Sequence, residues 1–502
     1  MPDKKRLNVN DAPKWFKILL VLFPLVGIAL VNVGFHNDLY FLYPTGEYIV
    51  NNGIPHSDIL SMQSNMHIVV QQWLSSVVFY FVYSRFGTLG VSVMTYICYI
   101  ALVLLVNKLC RTITDNFGIA CIFTFVICLI MSAMFIAARP QIFTYLLVLF
   151  EILCLENFVK TKKTYLLFFI PLISLALINL HAAMWGMMFV FAMPYAAAAL
   201  PIKAGKIKQE PCCSFVKLLI CGIVSFAVGF CNPYGWESMS YILTSFGLSA
   251  INNRVYEMNP VSFSDGAGVI TITLVAVLLV LAIIRKDKAF TTRFVLMFAG
   301  TLILALLNIK SIAYFLIAGV PAYSYMMKSA KIEIPLPDNT KSTGSNKKRI
   351  VLLCTLIVAL GALAGVLAMR QSDAPAENEA APVKNTYEYM DDMVEILDKS
   401  DEEVVLFAGF DWGQYLEYKG YHPYIDGRAE LFMKQNNKDF DYLTEYNHII
   451  SGTLYYKDFI DKYNFNYLIV SDREIYLRSA LLRDDDYTVL VDSGEITLFK
   501  AK

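Results

Sequence analysis

Three carboxylates and two histidines crowd the stretch that follows the first apolar segment: His36-Asn37-Asp38, Gly46-Glu47-Tyr48 and Pro55-His56-Ser57-Asp58. Aromatic residues interleave them, with Tyr40 and Phe41 directly after Asp38 and Trp73 further on. A carboxylate close to a bilayer surface can take the proton of an acceptor hydroxyl, general-base assistance that contributes typically ~10²- to 10⁴-fold in rate. Asp38 and Asp58 are both candidates for that base. Asp58 equally suits a turn after Pro55, a helix cap or a metal ligand. His36 and His56 lack an evident third metal partner.

Apolar helices must hold these groups. The 502 residues are 57% hydrophobic and 17% charged, with mean hydropathy +0.51, where a soluble chain carries roughly 25% charge. This is the composition of a polytopic membrane protein. The formal net charge of zero hides a split: residues 371–502 hold 27 acidic against 13 basic side chains, leaving 15 against 29 in the first 370. A basic membrane body therefore precedes an acidic soluble domain. All ten cysteines lie at or before Cys354, so no disulfide framework is implied.

Ile18–Phe35 is about long enough to span, and Lys4, Lys5, Arg6, Lys14 and Lys17 precede it, which predicts an uncleaved signal anchor with a cytoplasmic N-terminus. Runs of spanning length recur over 88–107, 117–137, 141–159, 164–180, 182–200, 215–231, 268–285, 293–309, 311–327 and 350–369, giving about eleven spans. Ile68–Tyr83 decides the topology. If it does not span, the loops holding Lys108/Arg111, Lys160/Lys162/Lys163, Lys203/Lys206/Lys208, Arg285/Lys286/Lys288 and Lys328–Arg349 are all cytoplasmic; if it spans, every one of them is outside. The positive-inside rule selects the first arrangement and makes 68–83 an amphipathic helix on the outer surface, interrupted by Gln71, Gln72, Ser75 and Ser76. A true span or re-entrant helix is the alternative.

The expected organisation is a cytoplasmic N-terminus (1–17), a transmembrane domain (18–369) that includes a first outer loop with surface helices (36–87) and a cytoplasmic linker (328–349), a linker (370–384), and an extracytoplasmic α/β domain (385–502). Val404–Phe407 and Tyr467–Val470 read as buried strands, and Tyr487–Phe499 as a hairpin turning at Asp492-Ser493-Gly494. Gln371–Val383 reads as a flexible Ala/Pro/Glu-rich linker.

This threading collects the reactive residues on one face: the first-loop acids and histidines, then Arg139-Pro140, His181, Asn232–Glu237, Arg254, Glu257, Asp265 and Lys310. Arg85, Arg139, Arg254 and Lys310 run against the orientation bias. An anionic lipid phosphate at this interface would need such residues, Arg as a bidentate fork and Lys as a point charge. The competing role for each is snorkelling to headgroups or pairing with a loop acid. His181, at an outer helix end, is a substrate-binding candidate or an interfacial histidine hydrogen-bonded to a neighbouring helix, and Asn232–Trp236 reads as a helix stop with an interfacial aromatic. Glu151, near mid-membrane, costs roughly 2.5 to 3.5 kcal/mol if ionised, so it is expected to be paired or neutral and to lock helices together. No Walker loop, His-Glu-x-x-His, Cys-x-x-Cys or Gly-x-Ser-x-Gly is present, and Cys212-Cys213 stands isolated in a cytoplasmic loop.

The string Asp38-Leu39-Tyr40-Phe41, Thr45-Gly46-Glu47-Tyr48-Ile49, Ile54-Pro55-His56-Ser57-Asp58, Trp73-Leu74-Ser75 resembles the first outer loop of the GT-C glycosyltransferase superfamily, including dolichyl-phosphate-mannose protein mannosyltransferases and bacterial aminoarabinose transferases. Arg139-Pro140-Gln141, Asn179-Leu180-His181, Asn232–Trp236, Asp411-Trp412-Gly413-Gln414-Tyr415-Leu416 and Ile425-Asp426-Gly427-Arg428 extend the likeness from about residue 14 to the C-terminus. Tyr40-Phe41 replaces the family's tryptophan pair, Leu42 its following histidine and Gln72 its acid before Trp-Leu. Aromatic stacking survives those changes, whereas a histidine- or acid-dependent contact does not.

The resemblance implies transfer of a sugar from a polyprenyl-phosphate donor to an extracytoplasmic acceptor, an envelope glycan, lipid or protein, in a bacterial cell membrane. It maps the catalytic acid onto Asp38, with Asp58, Tyr40, Phe41, Glu47, Trp73, Arg139, His181 and Lys310 as substrate-binding candidates. It fixes no certain cofactor and leaves a divalent metal open. Membrane lipids are partners and nucleic acid is not. A lipid or solute transporter, or a catalytically inactive envelope scaffold, is the alternative; no internal repeat supports transport, while the departures at Leu42 and Gln72 leave room for the scaffold.

Overall fold

The structure is a computed structural model that describes residues 6–31, 38–204, 207–245, 256–263, 265–284, 291–330, 333–335 and 386–502. His36, Arg254, the expected span 350–369 and the linker 371–383 lie outside the described residues. The chain divides into two compact units, one of residues 1–34, 92–242 and 247–375, the other of 35–91, 243–246 and 376–502.

Helices Trp73–Thr114, Phe117–Met134, Gln141–Thr161 and Gly266–Ile283 are long and apolar enough to cross a membrane, and shorter apolar helices run over Thr164–Leu180, Ala182–Ala198, Phe215–Val228 and Thr292–Leu307. They follow the expected apolar runs closely. Large apolar side chains such as Ile220, Ile223, Leu279 and Ile283 are exposed, an arrangement that lipid solvates and water does not. The chain is a mostly helical membrane protein.

The anchor departs from a single helix. An α-helix over Lys14–Leu22 tightens into a 3₁₀ helix over Phe23–Leu30. Pro24 lacks an N–H for the α-ladder, and its carbonyl accepts from the buried Tyr99 hydroxyl at 2.8 Å. A Cβ on Gly27 would collide with Tyr99 and Ser132. Asn116 caps the helix Phe117–Met134 by accepting from Ile119 N–H at 3.2 Å. The expected span 311–327 is also irregular: a π-helix occupies Phe315–Gly319 just before Pro321, where the missing proline donor already breaks the α pattern.

Trp73–Thr114 is two helices joined at Gly87, whose φ of 59° and ψ of −156° are not helical. The break falls between the expected surface helix and the expected span at 88–107. The first of these helices begins only at Trp73, because residues 68–72 are not helical and Ile68 N–H instead donates to the His56 carbonyl at 3.1 Å.

The second unit combines the stretch from Asp38 to Val91 with Thr386–Lys502. Its sheet pairs Leu406–Ala408 in parallel with Tyr467–Ser471, which pairs antiparallel with Ile496–Ala501, which pairs antiparallel with Tyr487–Asp492. Both buried strands and the terminal hairpin thus lie where the β-branched and aromatic runs predict, with Gly494 at φ 87° in the turn. The helix Asp38–Asn52 adds Tyr40 to a core of Met390, Met393, Leu416 and Tyr467.

One buried charge cluster ties the early stretch to the late one. Arg428 donates through Nη1 to Asp58 Oδ1 at 2.8 Å, through Nη2 to Glu417 Oε1 at 3.1 Å and Asp426 Oδ2 at 2.6 Å, and through Nε to Asp426 Oδ1 at 2.9 Å. The three acidic side chains are fully buried and Arg428 is 10% exposed. Three carboxylates share one guanidinium, and burial, then the Asp426 charge, raises the Glu417 pKa well above the carboxylate range. Glu417 is therefore the member that keeps its proton. Backbone bonds continue the seam: Met62 N–H to Pro423 carbonyl at 3.1 Å and His67 N–H to Asn437 carbonyl at 2.9 Å.

Arg428→Met is predicted to destabilise the full-length protein by about 3–5 kcal/mol, the cost of stranding a buried ion pair's partner. Denaturant unfolding in detergent measures it; a loss below about 1 kcal/mol contradicts the role assigned to the cluster.

Candidate active site

In the first unit the polar residues gather at turns between apolar helices. Arg139 sits in the turn before Gln141–Thr161, where Pro140 supplies the N-cap position. His181 ends the helix Phe169–Leu180 with a φ of −160°. Lys310 lies in the 3₁₀ turn Ile309–Ser311 that follows Thr292–Leu307, fixed by Asn308 Oδ1 accepting from Ser311 N–H at 2.8 Å. Glu257 lies in the turn Tyr256–Met258, and the next segment is held to the Lys310 turn by Ile309 N–H donating to the Asn259 carbonyl at 3.1 Å.

These groups interact. Arg139 Nη1 donates to Glu257 Oε1 at 2.8 Å, with the Glu257 side chain 45% exposed. Burial opposes ionisation of Glu257, but Arg139 and then Lys310 outweigh it and hold its pKa below the usual range. His181 Nδ1 shares a hydrogen bond of 2.8 Å with Thr144 Oγ1. Burial, helped by Lys310, pushes the His181 pKa down to about 3, so the ring is neutral. Arg139, Lys310, His181 and Glu257 thus form one cluster, and among these four groups the charges sum to a single positive. Tyr145, close enough to Arg139 and Glu257 to interact electrostatically, packs edge-on against Tyr314 with ring centroids 5.7 Å apart. Tyr314 Oη and Gln141 Oε1 are buried without a hydrogen-bond partner among the described residues, so the cluster retains capacity for a ligand.

Neither Glu257 nor Tyr314 belongs to a motif. Gln141 stood in the Arg139-Pro140-Gln141 string, and Glu257 was visible only as an acid on the expected face. Other polar residues named from the sequence have structural surroundings. Asn232 Nδ2 donates to the carbonyls of Gly229 at 2.7 Å and Gly235 at 3.0 Å, building the expected helix stop. Arg85 lies over the Phe81 ring at 5.1 Å, and Asp265 Oδ1 accepts from Gly268 N–H at 2.7 Å at the start of Gly266–Ile284. Glu151 is buried with neither oxygen hydrogen-bonded among the described residues, so no bond there locks it to another helix.

In the second unit Asp38 opens the helix Asp38–Asn52, half-buried, where an acid complements the helix dipole. Tyr40 is buried and meets Tyr415 edge-on at 5.0 Å, with Tyr387 and Tyr418 beside it; burial first, then those tyrosines, raises its pKa. Phe41 and Trp73 are half-buried and Glu47 exposed. Asp58 is committed to Arg428, and its Oδ2 also accepts from Ser61 N–H at 2.9 Å and Ser61 Oγ at 2.6 Å. Among the described residues no three His, Cys, Asp or Glu side chains gather as metal ligands; where Asp58, Glu417 and Asp426 converge, Arg428 supplies the positive charge.

Because the Glu257 pKa is depressed, the Arg139–Glu257 pair stabilises the fold above the usual glutamate range, and that contribution is lost as pH falls through the folded-state pKa. With Glu257 half exposed, Glu257→Gln should lower stability at pH 7 by no more than about 1 kcal/mol and should flatten the acid limb of a melting-temperature profile below pH ~4.5, where the carboxylate begins to take up its proton. An unchanged acid limb would remove the pair from the fold's pH response.

No family model and no curated protein sequence matches the chain. Among solved structures it is similar to the crystal structure of the Archaeoglobus fulgidus oligosaccharyltransferase tethered by a disulfide to an acceptor peptide containing the NVT sequon, with TM-score 0.61, 11% identity, and coverage of 91% of this chain and 69% of that one. It is also similar to the cryo-EM structure of the arabinofuranosyltransferase AftD from Mycobacteria, with TM-score 0.56, 12% identity, and coverage of 98% of this chain but 42% of that one. Both neighbours are GT-C glycosyltransferases, and this chain carries the fold they share.

Proposed function

We propose that the protein is a membrane glycosyltransferase that moves a sugar from a polyprenyl-phosphate donor to an extracytoplasmic acceptor. The observation that carries this reading is the Arg139–Lys310–His181–Glu257 cluster, whose one surplus positive charge complements a phosphodiester. Keeping His181 neutral matters: its imidazole can accept or donate a hydrogen bond without adding charge. The GT-C fold supports glycosyl transfer, and the neighbours' peptide-linked and arabinofuranosyl chemistry makes an envelope protein or glycan the natural acceptor class.

In the proposed reaction the acceptor hydroxyl attacks the anomeric carbon as the bond from that carbon to the phosphate oxygen breaks. Asp38 takes the hydroxyl proton, and the phosphate leaves with an additional negative charge. Arg139 and Lys310 stabilise that developing charge, the kind of preorganised electrostatic help that dominates many transferase rates. Phe41, Glu47 and Trp73 remain proposed substrate contacts. Asp58 and Tyr40 support the fold of the second unit instead, since one is bound to Arg428 and the other is in the core.

The membrane placement belongs to the same proposal: a multi-pass plasma-membrane protein with its N-terminus in the cytoplasm and residues 386–502 outside. Lysines at the helix ends agree with this. Lys160 and Lys328 both pair with Asp115 in the turn before Phe117–Met134, the charge pattern of a cytoplasmic face.

Asp38→Asn is expected to lower transfer of labelled sugar from polyprenyl-phosphate donors to envelope acceptors by at least ~10²-fold while leaving the unfolding midpoint unchanged. Full activity in that variant would remove Asp38 from the mechanism.

A further inference from the structure

The turn after the helix Ala182–Ala198 brings two adjacent cysteines into a charged setting. Cys212 N–H donates to the Ala198 carbonyl at 2.9 Å. Lys162, which ends Gln141–Thr161 at a φ of 60°, donates through Nζ to the Cys212 carbonyl. Arg293 lies close enough to both thiols to act on them electrostatically and is itself held by Glu156 through bonds of 2.9 and 3.2 Å. The two sulfurs stand 3.6 Å apart, with Cys212 half-exposed and Cys213 buried.

We propose that Cys212 and Cys213 form a reversible oxidation site, in which Cys212 reacts with a hydroperoxide and Cys213 closes the product to a vicinal disulfide. Cys212 thiolate attacks the peroxide, breaking its O–O bond to give a sulfenic acid and, with one proton, water or an alcohol. The Cys213 thiol then attacks the sulfenic sulfur, forming the S–S bond and expelling water. The thiol pair loses two electrons and the peroxide gains them.

The surroundings favour this division of roles. Hydrogen bonding between the two sulfurs, opposed by partial burial and helped by Arg293 and Lys162, brings the Cys212 thiol down to about 7, while the same bond and burial raise Cys213. Cys212 is thus the nucleophile and Cys213 the resolving thiol. Adjacent Cα atoms are about 3.8 Å apart across a trans peptide, short of the ~4.4–6.8 Å of ordinary disulfides. Such a bond is strained and easily reduced, which makes it a reversible mark.

The test uses the full-length protein in detergent, treated with hydrogen peroxide and then alkylated, with peptide mass spectrometry. The peptide carrying both cysteines should lose two hydrogens, ~2 Da, and dithiothreitol should restore it. Cys213→Ser should stop at a dimedone-reactive sulfenic acid on Cys212, and Cys212→Ser should leave Cys213 unoxidised. At neutral pH, Cys212 should react with a thiol reagent roughly tenfold faster than the exposed Cys231. Equal rates at Cys212 and Cys231, or a wild-type product that is a sulfinic acid with no disulfide, would overturn the proposal.

Discussion

An ionised side chain removed from water must bring its counter-charge with it, and this constraint organises both units. In the second, Asp58, Glu417 and Asp426 converge on Arg428, and the raised pKa of the buried Glu417 reduces the excess of negative charge around the one guanidinium. In the first, Glu156 holds Arg293 within the helices, and Glu257 holds Arg139 at a turn between them. The candidate site, by contrast with the Glu156–Arg293 pair, gathers at turns where the chain leaves its apolar helices. Evolution of a site on such a scaffold works with turns, because the helix interiors tolerate few charges.

The two kinds of pair differ in consequence. Arg428 is enclosed on all sides by fixed acids, so its geometry is part of the fold. Arg139 pairs with the half-exposed Glu257 and has a second cation, Lys310, nearby, so in the proposed reading a net positive charge is left to meet a ligand phosphate. The neutral His181 and the Tyr314 hydroxyl, which has no hydrogen-bond partner among the described residues, add hydrogen-bonding capacity without adding charge. This asymmetry separates binding residues from supporting ones more sharply than residue type does, since Asp58 and Asp38 look alike in sequence and occupy different environments.

Much of the fold was legible in the sequence because its signals are local. Apolar runs such as 117–137 and 141–159 yielded helices at nearly those bounds, and the alternation over Tyr487–Phe499 with Asp492-Ser493-Gly494 yielded the hairpin. The irregular pieces were hidden, since the 3₁₀ segment at Pro24 and the π-helix before Pro321 depend on partners such as Tyr99 that are remote in sequence. Pairing across the chain was equally hidden: 370 residues separate Asp58 from Arg428, and no periodicity relates them. Within the candidate site, Arg139 and Lys310 were visible because they oppose the charge bias. Glu257 does not stand out in the sequence, because only its closeness to Arg139 distinguishes it from other loop acids. Cys212-Cys213 looks isolated in the sequence because Lys162 and Arg293 reach it from other helices.

Mass spectrometry of the lipids that co-purify with the protein tests the central claim most directly. Wild-type protein is predicted to retain a polyprenyl-phosphate sugar, and Arg139→Ala and Lys310→Ala each to lose at least about tenfold of it, as loss of ~1.4 kcal/mol of phosphate binding requires. Equal retention by all three proteins would contradict the assignment of this cluster to the donor phosphate.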